Sequence, residues 1–213
     1  MKLYTRPVGP IGTNCYIVEE EGSCAVIDPG AQSARLGAFL EANGLSPSHI
    51  LLTHGHYDHI GAVKALREKF GCKLVIGRGD AELLSDLEKS LGCMGMEPPE
   101  TYLMTPDLLV GEGDTVKAGE LAFEVFETPG HTKGGVSYRC GDALFTGDTM
   151  FAGNIGRTDF YGGSYREIIA SLKKLAALPG DYRVLPGHGP ESTLSWEREL
   201  NPYMRATGYE TLY

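Results

Sequence analysis

The chain has 213 residues, and its 42% hydrophobic and 22% charged content is ordinary for a folded globular protein. Its net charge of −9, with no basic run longer than Lys173 and Lys174, argues against nucleic acid as a partner, because phosphate contacts need clustered Lys and Arg. No segment reaches the ~20 apolar residues of a membrane span and the N-terminus lacks a signal-peptide stretch, so we expect a cytoplasmic protein without membrane contact.

The first half of the chain alternates short apolar runs with helical patterns. Short apolar runs bounded by turn residues predict strands at 15–20, 24–30, 49–53 and 73–77. Apolar residues at helical spacing predict helices at 33–44, 61–71 and 80–92. Ser33 and Asp80 are the expected N-terminal caps of the first and third helices. Gly44 and Gly71 are expected to end the first and second helices.

The second half repeats this alternation after a connection at 93–106 that is rich in Met and Pro. Apolar runs predict strands at 121–130, 135–140, 143–148 and 182–189. A strongly amphipathic helix is predicted at 164–180 with Ser164 as its cap, and a short helix is predicted after Thr193. No linker separates the halves, so we expect one compact domain over residues 1–213, with two sheets covered by helices. The tail from Arg205 onwards has no pattern that would anchor it.

Half of the six histidines are concentrated in the stretch THGHYDH. His54, His56 and His59 surround Asp58, and the stretch follows a predicted strand and precedes a glycine. The alternating spacing of the first two histidines allows an extended turn to place both on one side. Asp58 and His59 begin the turn into the next helix and so can point to a neighbouring position.

Three further polar residues follow predicted strands at glycine-containing turns. His131 and His188 each lie in a Pro-Gly-His turn, and Asp148 lies in a Gly-Asp turn. Each alone is typical of an exposed or turn-forming residue. Together with the first cluster they favour a metal site, because imidazole and carboxylate are natural ligands of zinc, iron and manganese. The five cysteines contain no CxxC pair, which argues against a thiolate zinc site or a disulfide framework.

Two other residues near these motifs have less direct roles. Asp28, in VIDPG, is expected to be structural, or to hydrogen-bond a metal ligand. His49 precedes its strand rather than following it, and we leave it out of the site.

These residues resemble a known family. THGHYDH matches the THxHxDH signature of the metallo-beta-lactamase superfamily, and His131, Asp148 and His188 follow in the expected order. The signature spans most of the chain. It implies an α/β (α+β) fold, specifically the four-layer αββα sandwich, with the active site along one edge of the two sheets.

Within that superfamily, the chain is similar to the short glyoxalase II-like hydrolases. The similarity lies in GDTMF…GRTD, within residues 147–159, and in the motif NPYM at 201–204. It implies two divalent ions, with zinc favoured over iron or manganese. The implied ligands are His54, His56 and His131 for the first ion, Asp58, His59 and His188 for the second, and Asp148 as the bridge.

The resemblance implies hydrolysis of a thioester, such as S-lactoylglutathione, by a hydroxide that bridges the two ions. Asp58 and Asp148 would be the catalytic carboxylates, since they hold the ions and either can take the attacking proton. His59 argues against antibiotic hydrolysis, because many β-lactamases of the superfamily differ at this position. Full-length glyoxalase II has an additional helical domain that binds glutathione. This chain ends soon after NPYM, so we expect that domain to be absent.

Other functions remain open at this point. Persulfide dioxygenases resemble glyoxalase II but use one iron, held by two His and one Asp. A lactonase or a nuclease is a further alternative, although the acidic balance disfavours the nuclease. A metal-binding module without catalysis is the last. The oligomeric state is undetermined.

Two segments could contact the substrate. Arg157 is expected to bind a substrate carboxylate, or instead to pair with Asp159. Met94, Met96 and Tyr102 are expected to form an apolar wall beside the site, or to be buried in the core or in a dimer contact.

Overall fold

The computed structural model describes residues 1–205, so all but the first residue of the predicted loose tail at 205–213 lies outside the described residues. The first sheet consists, in spatial order, of β1 (Lys2–Val8), β2 (Thr13–Glu20), β3 (Ser23–Ile27), β4 (His49–Leu52), β5 (Lys73–Gly77) and β6 (Leu108–Val110). The strands β1 to β3 pair antiparallel, and β3 to β6 pair parallel. The parallel strands place their carboxyl ends at one edge of the sheet.

The second half of the chain forms the other sheet. Its strands are β7 (Thr115–Ala118), β8 (Leu121–Glu127), β9 (Val136–Cys140), β10 (Ala143–Gly147), β11 (Met150–Phe151), β12 (Asn154–Ile155), β13 (Arg183–Pro186) and β14 (Ser192–Thr193). The second sheet has the order β14-β13-β10-β9-β8-β7, while β11 and β12 pair as a separate hairpin. In it, β10 and β13 are parallel.

Helices cover the outer faces of both sheets. They are α1 (Ser33–Ala42), α2 (Tyr57–Ile60), α3 (Val63–Phe70), α4 (Tyr165–Ala176), α5 (Leu194–Leu200) and α6 (Pro202–Arg205). Short 3₁₀ helices span Arg78–Ser85, Gly92–Met94 and Pro99–Tyr102. Within residues 1–205, no helix combines the length and apolar character that crossing a bilayer requires.

Alternation along each strand builds three apolar layers. In β4, Leu51 packs between the two sheets, whereas Ile50 and Leu52 face the helices α1 and α3. In β10, Phe145 packs between the sheets and Leu144 faces α4 and α5. This period of two is what a strand buried on both faces requires. The αββα sandwich expected from the sequence is confirmed.

One predicted helix is wrong. Instead of a helix over 80–92, the chain forms a 3₁₀ helix at Arg78–Ser85, and Asp80 lies inside it rather than at its cap. The physical reason is tertiary packing, because Asp80 is fully buried and hydrogen-bonds other loops. Ser33 is likewise the first residue of α1 rather than its cap, a position that Gln32 occupies without a side-chain bond.

The predicted limits of two other helices are confirmed. The side-chain oxygen of Ser164 accepts a hydrogen bond from the backbone N–H of Glu167, which makes Ser164 the N-cap of α4. Gly71 ends α3 in the left-handed conformation that glycine adopts at little cost.

Ser164→Ala removes this cap and should lower the free energy of unfolding by about 1 kcal/mol, since an orphaned helix N–H loses its acceptor. Urea denaturation measures the change. Ser46→Ala, in an exposed loop, is the control and should change it by less than about 0.5 kcal/mol. Equal effects of the two substitutions would contradict the capping role.

Candidate metal centre

The seven predicted ligands meet at one edge of the two sheets. The stretch THGHYDH runs from the end of β4 into α2, and the other three residues follow β8, β10 and β13. Ligand atoms come together in three overlapping groups that could each hold a metal ion: His54, His56 and His131; His54, His59 and Asp148; Asp58, His59 and His188. Within each group these atoms lie within 4.8 Å of one another.

The first group consists of three buried imidazoles. His56 Nδ1 lies 2.9 Å from His131 Nε2, so two ring nitrogens face each other. His131 Nδ1 lies 2.7 Å from the carbonyl oxygen of Arg157, which can only accept a hydrogen bond. The proton of neutral His131 is therefore on Nδ1, and its Nε2 presents a lone pair to the site.

The group of Asp58, His59 and His188 shares no residue with the first, and we call it the second ligand group. It mixes imidazoles with a carboxylate. His59 Nε2 lies 3.3 Å from Asp58 Oδ2, and His188 Nε2 lies 3.1 Å from the same oxygen. Asp148 Oδ2 lies 3.6 Å from His131 Nε2 and 3.6 Å from His188 Nε2, one nitrogen from each group. Asp148 thus lies between the two groups, where a bridging carboxylate would be placed.

Several buried polar atoms in this cluster lack a hydrogen-bond partner among residues 1–205. They are the Nε2 atoms of His54, His56 and His59, together with Asp148 Oδ1. Leaving such an atom unpaired costs about 1–3 kcal/mol, which a cation can relieve. Imidazole nitrogens and carboxylate oxygens are the donors that zinc, iron and manganese accept. The residues therefore fit divalent metal ions.

The histidines are of two kinds, because the pKa is lowered in some of them and raised in others. Burial lowers the pKa of His54 and His56, and neighbouring imidazoles lower it further, so that the pKa of His56 falls to about 3. Both rings are neutral at pH 7, which is the state that binds metal. Burial also acts to lower the pKa of His59, but the surrounding carboxylates, chiefly Asp58 and Asp28, raise it well above its usual value.

The pKa of the Asp58 carboxylate is shifted in the opposite direction to the pKa of His59. Burial acts to raise its pKa, but the imidazoles of His59 and His188 outweigh burial and hold the pKa well below its usual value. The pKa of His188 is raised by its hydrogen bond to Asp58, against the effect of burial. Asp58 is therefore ionised at neutral pH. In the metal-free protein, protons on the imidazoles balance its charge, and metal ions would compete with them.

Asp28 holds His59 in place. Its Oδ2 lies 3.0 Å from His59 Nδ1 and accepts a 2.6 Å hydrogen bond from Thr53 Oγ1. A carboxylate only accepts, so Nδ1 carries the proton and Nε2 is left for the site. Asp28 is buried and has φ 49°, a left-handed conformation that stores strain. Asp28 was expected to be structural or to hydrogen-bond a metal ligand. The structure shows the second role, a hydrogen bond with the predicted ligand His59.

Sequence reasoning missed two residues at the start of β2. Thr13 Oγ1 donates to Asp58 Oδ2 at 3.0 Å. Asn14 Nδ2 donates to the carbonyl oxygens of Pro186 and Gly189, at 3.1 and 2.9 Å, and so fixes the turn that carries His188. The available signal was the polar pair Thr-Asn at the start of an otherwise buried strand. A third missed residue, Asp80, contacts the loops of the first group.

Arg157 forms the ion pair that was its alternative role. Its Nε and Nη2 lie 2.7 and 2.6 Å from the two carboxylate oxygens of Asp159. The guanidinium lies 3.9 Å above the ring centroid of Phe160, and that ring lies 6.0 Å from the ring of His56. Arg157 is exposed, and its contact with Phe160 places it beside the cluster. His49 lies at the opposite end of β4, where it contacts Ser48, and does not join the cluster.

The predicted apolar wall divides into two parts. Tyr102 is only 2% exposed and packs in the apolar layer between the first sheet and the helices α1 and α3, with its ring 6.2 Å from that of Tyr57. Met94 and Met96 are instead 61% and 82% exposed. Burial in the core is therefore observed for Tyr102 and not for the two methionines.

Comparisons with known proteins agree with this geometry. The profile of the metallo-beta-lactamase superfamily matches residues 8–188. Hydroxyacylglutathione hydrolase GloC of Haemophilus influenzae is 34% identical over 97% of this chain and 99% of GloC. The crystal structure of BLEG-1 B3 metallo-beta-lactamase is 36% identical, with a TM-score of 0.90, over 97% of this chain and 100% of its own. TTHA1623, in a di-iron-bound form, is 36% identical, with a TM-score of 0.84, over 94% of this chain and 99% of its own.

Gly187→Ala should weaken metal binding. A Cβ at this position would overlap Asp148 Oδ1 and lie 2.8 Å from His59 Cε1, so both side chains must move. We expect the dissociation constant for Zn²⁺ to rise about 10- to 100-fold, as for other groups that orient ligands. Gly22→Ala, in the turn between β2 and β3 at the other end of the first sheet, is the control, since its Cβ meets nothing within 4 Å and adds backbone strain alone. Chelator-competition titration measures both, and equal affinities would contradict the prediction.

Zn²⁺ should stabilise the metal-free protein, whereas Ca²⁺ should not. Zinc binds imidazole, while calcium needs six to eight oxygen ligands, which this cluster does not offer. At a Zn²⁺ concentration of about 100 times the dissociation constant, the gain in unfolding free energy is about 2.7 kcal/mol. Thermal denaturation after chelator dialysis measures it. No shift with Zn²⁺, or an equal shift with Ca²⁺, would contradict the proposed ligand chemistry.

Proposed function

This chain belongs to the metallo-beta-lactamase superfamily and is a metal-dependent hydrolase, and we propose that it hydrolyses acyl thioesters of the glyoxalase II type. The observation that carries the proposal is the pair of ligand groups on either side of Asp148, where three imidazole nitrogens and one carboxylate oxygen have no hydrogen-bond partner among residues 1–205. We propose two divalent ions, zinc by preference. Bound ions of this kind supply an activated water and polarise a carbonyl group.

The side chains prepare the site for that reaction. His54, His56 and His131 would hold one ion, and Asp58, His59 and His188 the other, with Asp148 between them. Asp58 is ionised, and with Asp148 it would hold the ions and take up the proton that the attacking water gives off. Asp28 and the Arg157 carbonyl keep His59 and His131 in the tautomers that the ions require.

A thioester suits this site because its leaving group needs little help. A thiol has a pKa near ~8.5, so a thiolate departs without full protonation. The similarity to hydroxyacylglutathione hydrolase GloC supports the same substrate class. Since the match covers 99% of GloC, that enzyme has no large region without a counterpart in this chain. A small-molecule thioester such as S-lactoylglutathione is therefore the proposed partner.

Arg157 is the proposed contact for a carboxylate of the substrate. Its guanidinium is exposed, lies over Phe160, and is held by the equally exposed Asp159. Surface ion pairs of this kind contribute little free energy. A substrate carboxylate can therefore replace Asp159 at small cost and gain the same two-point contact.

β-Lactam hydrolysis is the second candidate function. The similarity to BLEG-1 B3 metallo-beta-lactamase, at 36% identity and a TM-score of 0.90, favours it. The two functions differ in the substrate, so direct assays with both substrate classes separate them.

His56→Ala should reduce thioester hydrolysis to background while the chain still folds, because the first ligand group loses one of its three imidazoles. The measurement is release of glutathione from S-lactoylglutathione by the Zn²⁺-loaded protein. His49→Ala is the matched control and should keep wild-type turnover, since His49 lies outside the cluster.

The outcomes are distinguishable. Full activity of metal-replete His56→Ala would overturn the ligand assignment. Cleavage of a cephalosporin without thioester hydrolysis by the wild type would transfer the proposal to the second candidate. One iron per chain, with oxygen uptake on glutathione persulfide, would replace the hydrolase with a dioxygenase.

A further inference from the structure

Asp80 is a fully buried carboxylate that joins the two histidine loops of the first ligand group. Its Oδ2 accepts hydrogen bonds from the backbone N–H of Gly55 at 3.1 Å and from Thr132 Oγ1 at 2.8 Å. Its Oδ1 accepts one from the backbone N–H of Gly134 at 2.7 Å. Gly55 lies between His54 and His56, and Thr132 follows His131, so one side chain bonds both loops.

These two loops belong to different sheets. The loop of Gly55 extends from β4 in the first sheet, whereas that of Thr132 and Gly134 connects β8 to β9 in the second. The 3₁₀ segment that carries Asp80 approaches the second loop closely: Cβ atoms on Gly77 or Gly79 would overlap or crowd Gly134. Glycines at these positions permit the contact that brings the carboxylate between the loops.

The hydrogen bonds of Asp80 require an acceptor on both oxygens. All three partners donate, and within residues 1–205 no Lys or Arg forms a salt bridge with Asp80. An Asn side chain would turn an amide NH₂ toward at least one backbone N–H, because each oxygen already faces such a donor. Burial raises the pKa of Asp80, against the three hydrogen bonds that favour its charged form.

We propose that Asp80 is a positioning residue that sets the distance between His56 and His131 and thereby controls the affinity of the first metal site. The contact between His56 Nδ1 and His131 Nε2, at 2.9 Å, joins the two loops that Asp80 links. The inference rests on the proposed metal function but not on the identity of the substrate.

The second ligand group is held by different residues. Asp28 bonds His59, Thr13 bonds Asp58, and Asn14 fixes the turn that carries His188. None of these contacts involves Asp80. Loss of the Asp80 carboxylate should therefore weaken the binding of one ion selectively, whereas a general loss of folding would weaken the binding of both ions.

The test is Zn²⁺ titration of metal-free Asp80→Asn by calorimetry, with a competing chelator. We expect the dissociation constant of one of the two ions to rise about 10- to 100-fold, and the other to stay within about threefold. Glu197→Gln is the matched control, because Glu197 is also fully buried and accepts bonds from Gly153, Ser192 and Asn201. It should lower stability and leave both affinities unchanged.

A milder variant keeps the test decisive if Asp80→Asn does not fold. Thr132→Val removes one of the three donors and should weaken the binding of the same ion by a smaller factor. Unchanged affinities in the folded variants, or equal losses for both ions, overturn the proposal. Wild-type protein that binds two ions without hydrolysing thioesters would reject the proposed substrate and leave this inference intact.

Discussion

The crowding of buried imidazole nitrogens and carboxylate oxygens at one edge of the sheets is the constraint on which the rest of this structure depends. A ring nitrogen of His56 faces a ring nitrogen of His131, and Nε2 of His59 faces the carboxylates of Asp58 and Asp148. Such an arrangement is unfavourable in a low-dielectric interior without protons or cations between the groups. The fold must therefore supply enough stability elsewhere to keep these atoms together, and it does so with three apolar layers around two sheets.

The loops are held in place by polar contacts that reach them from other parts of the fold. Asp28 and Asp80 are both buried carboxylates, and each accepts bonds from a backbone N–H and a threonine hydroxyl next to a histidine. Asn14 also holds a histidine-bearing turn in place, but it donates hydrogen bonds instead of accepting them. Because these residues sit on or beside regular elements, the histidine side chains are positioned before any ion arrives. Pre-positioned ligands lose little conformational entropy on binding.

The sequence predicts eight of the fourteen strands within residues 1–205, because their signals are local. The apolar runs of β3, β4 and β5 and the cap of α4 are visible within a few residues. The cluster around Asp58 was equally visible, since histidine is scarce elsewhere. The role of Asp80 was not, because its partners lie up to 54 positions away and the local pattern resembles a helix. Arg157 shows the same limit, as sequence alone left its pairing with Asp159 and its contact with a substrate as equal alternatives.

The contact between His131 and the backbone of Arg157 has a consequence for how this scaffold can diversify. The imidazole is held by the carbonyl oxygen of residue 157, while the guanidinium points outward beside Phe160. A main-chain carbonyl is present whatever side chain occupies the position. The side chain at position 157 can therefore be exchanged during evolution without loss of this hydrogen bond to His131. One residue thus supports the centre through its backbone and leaves its side chain free to vary.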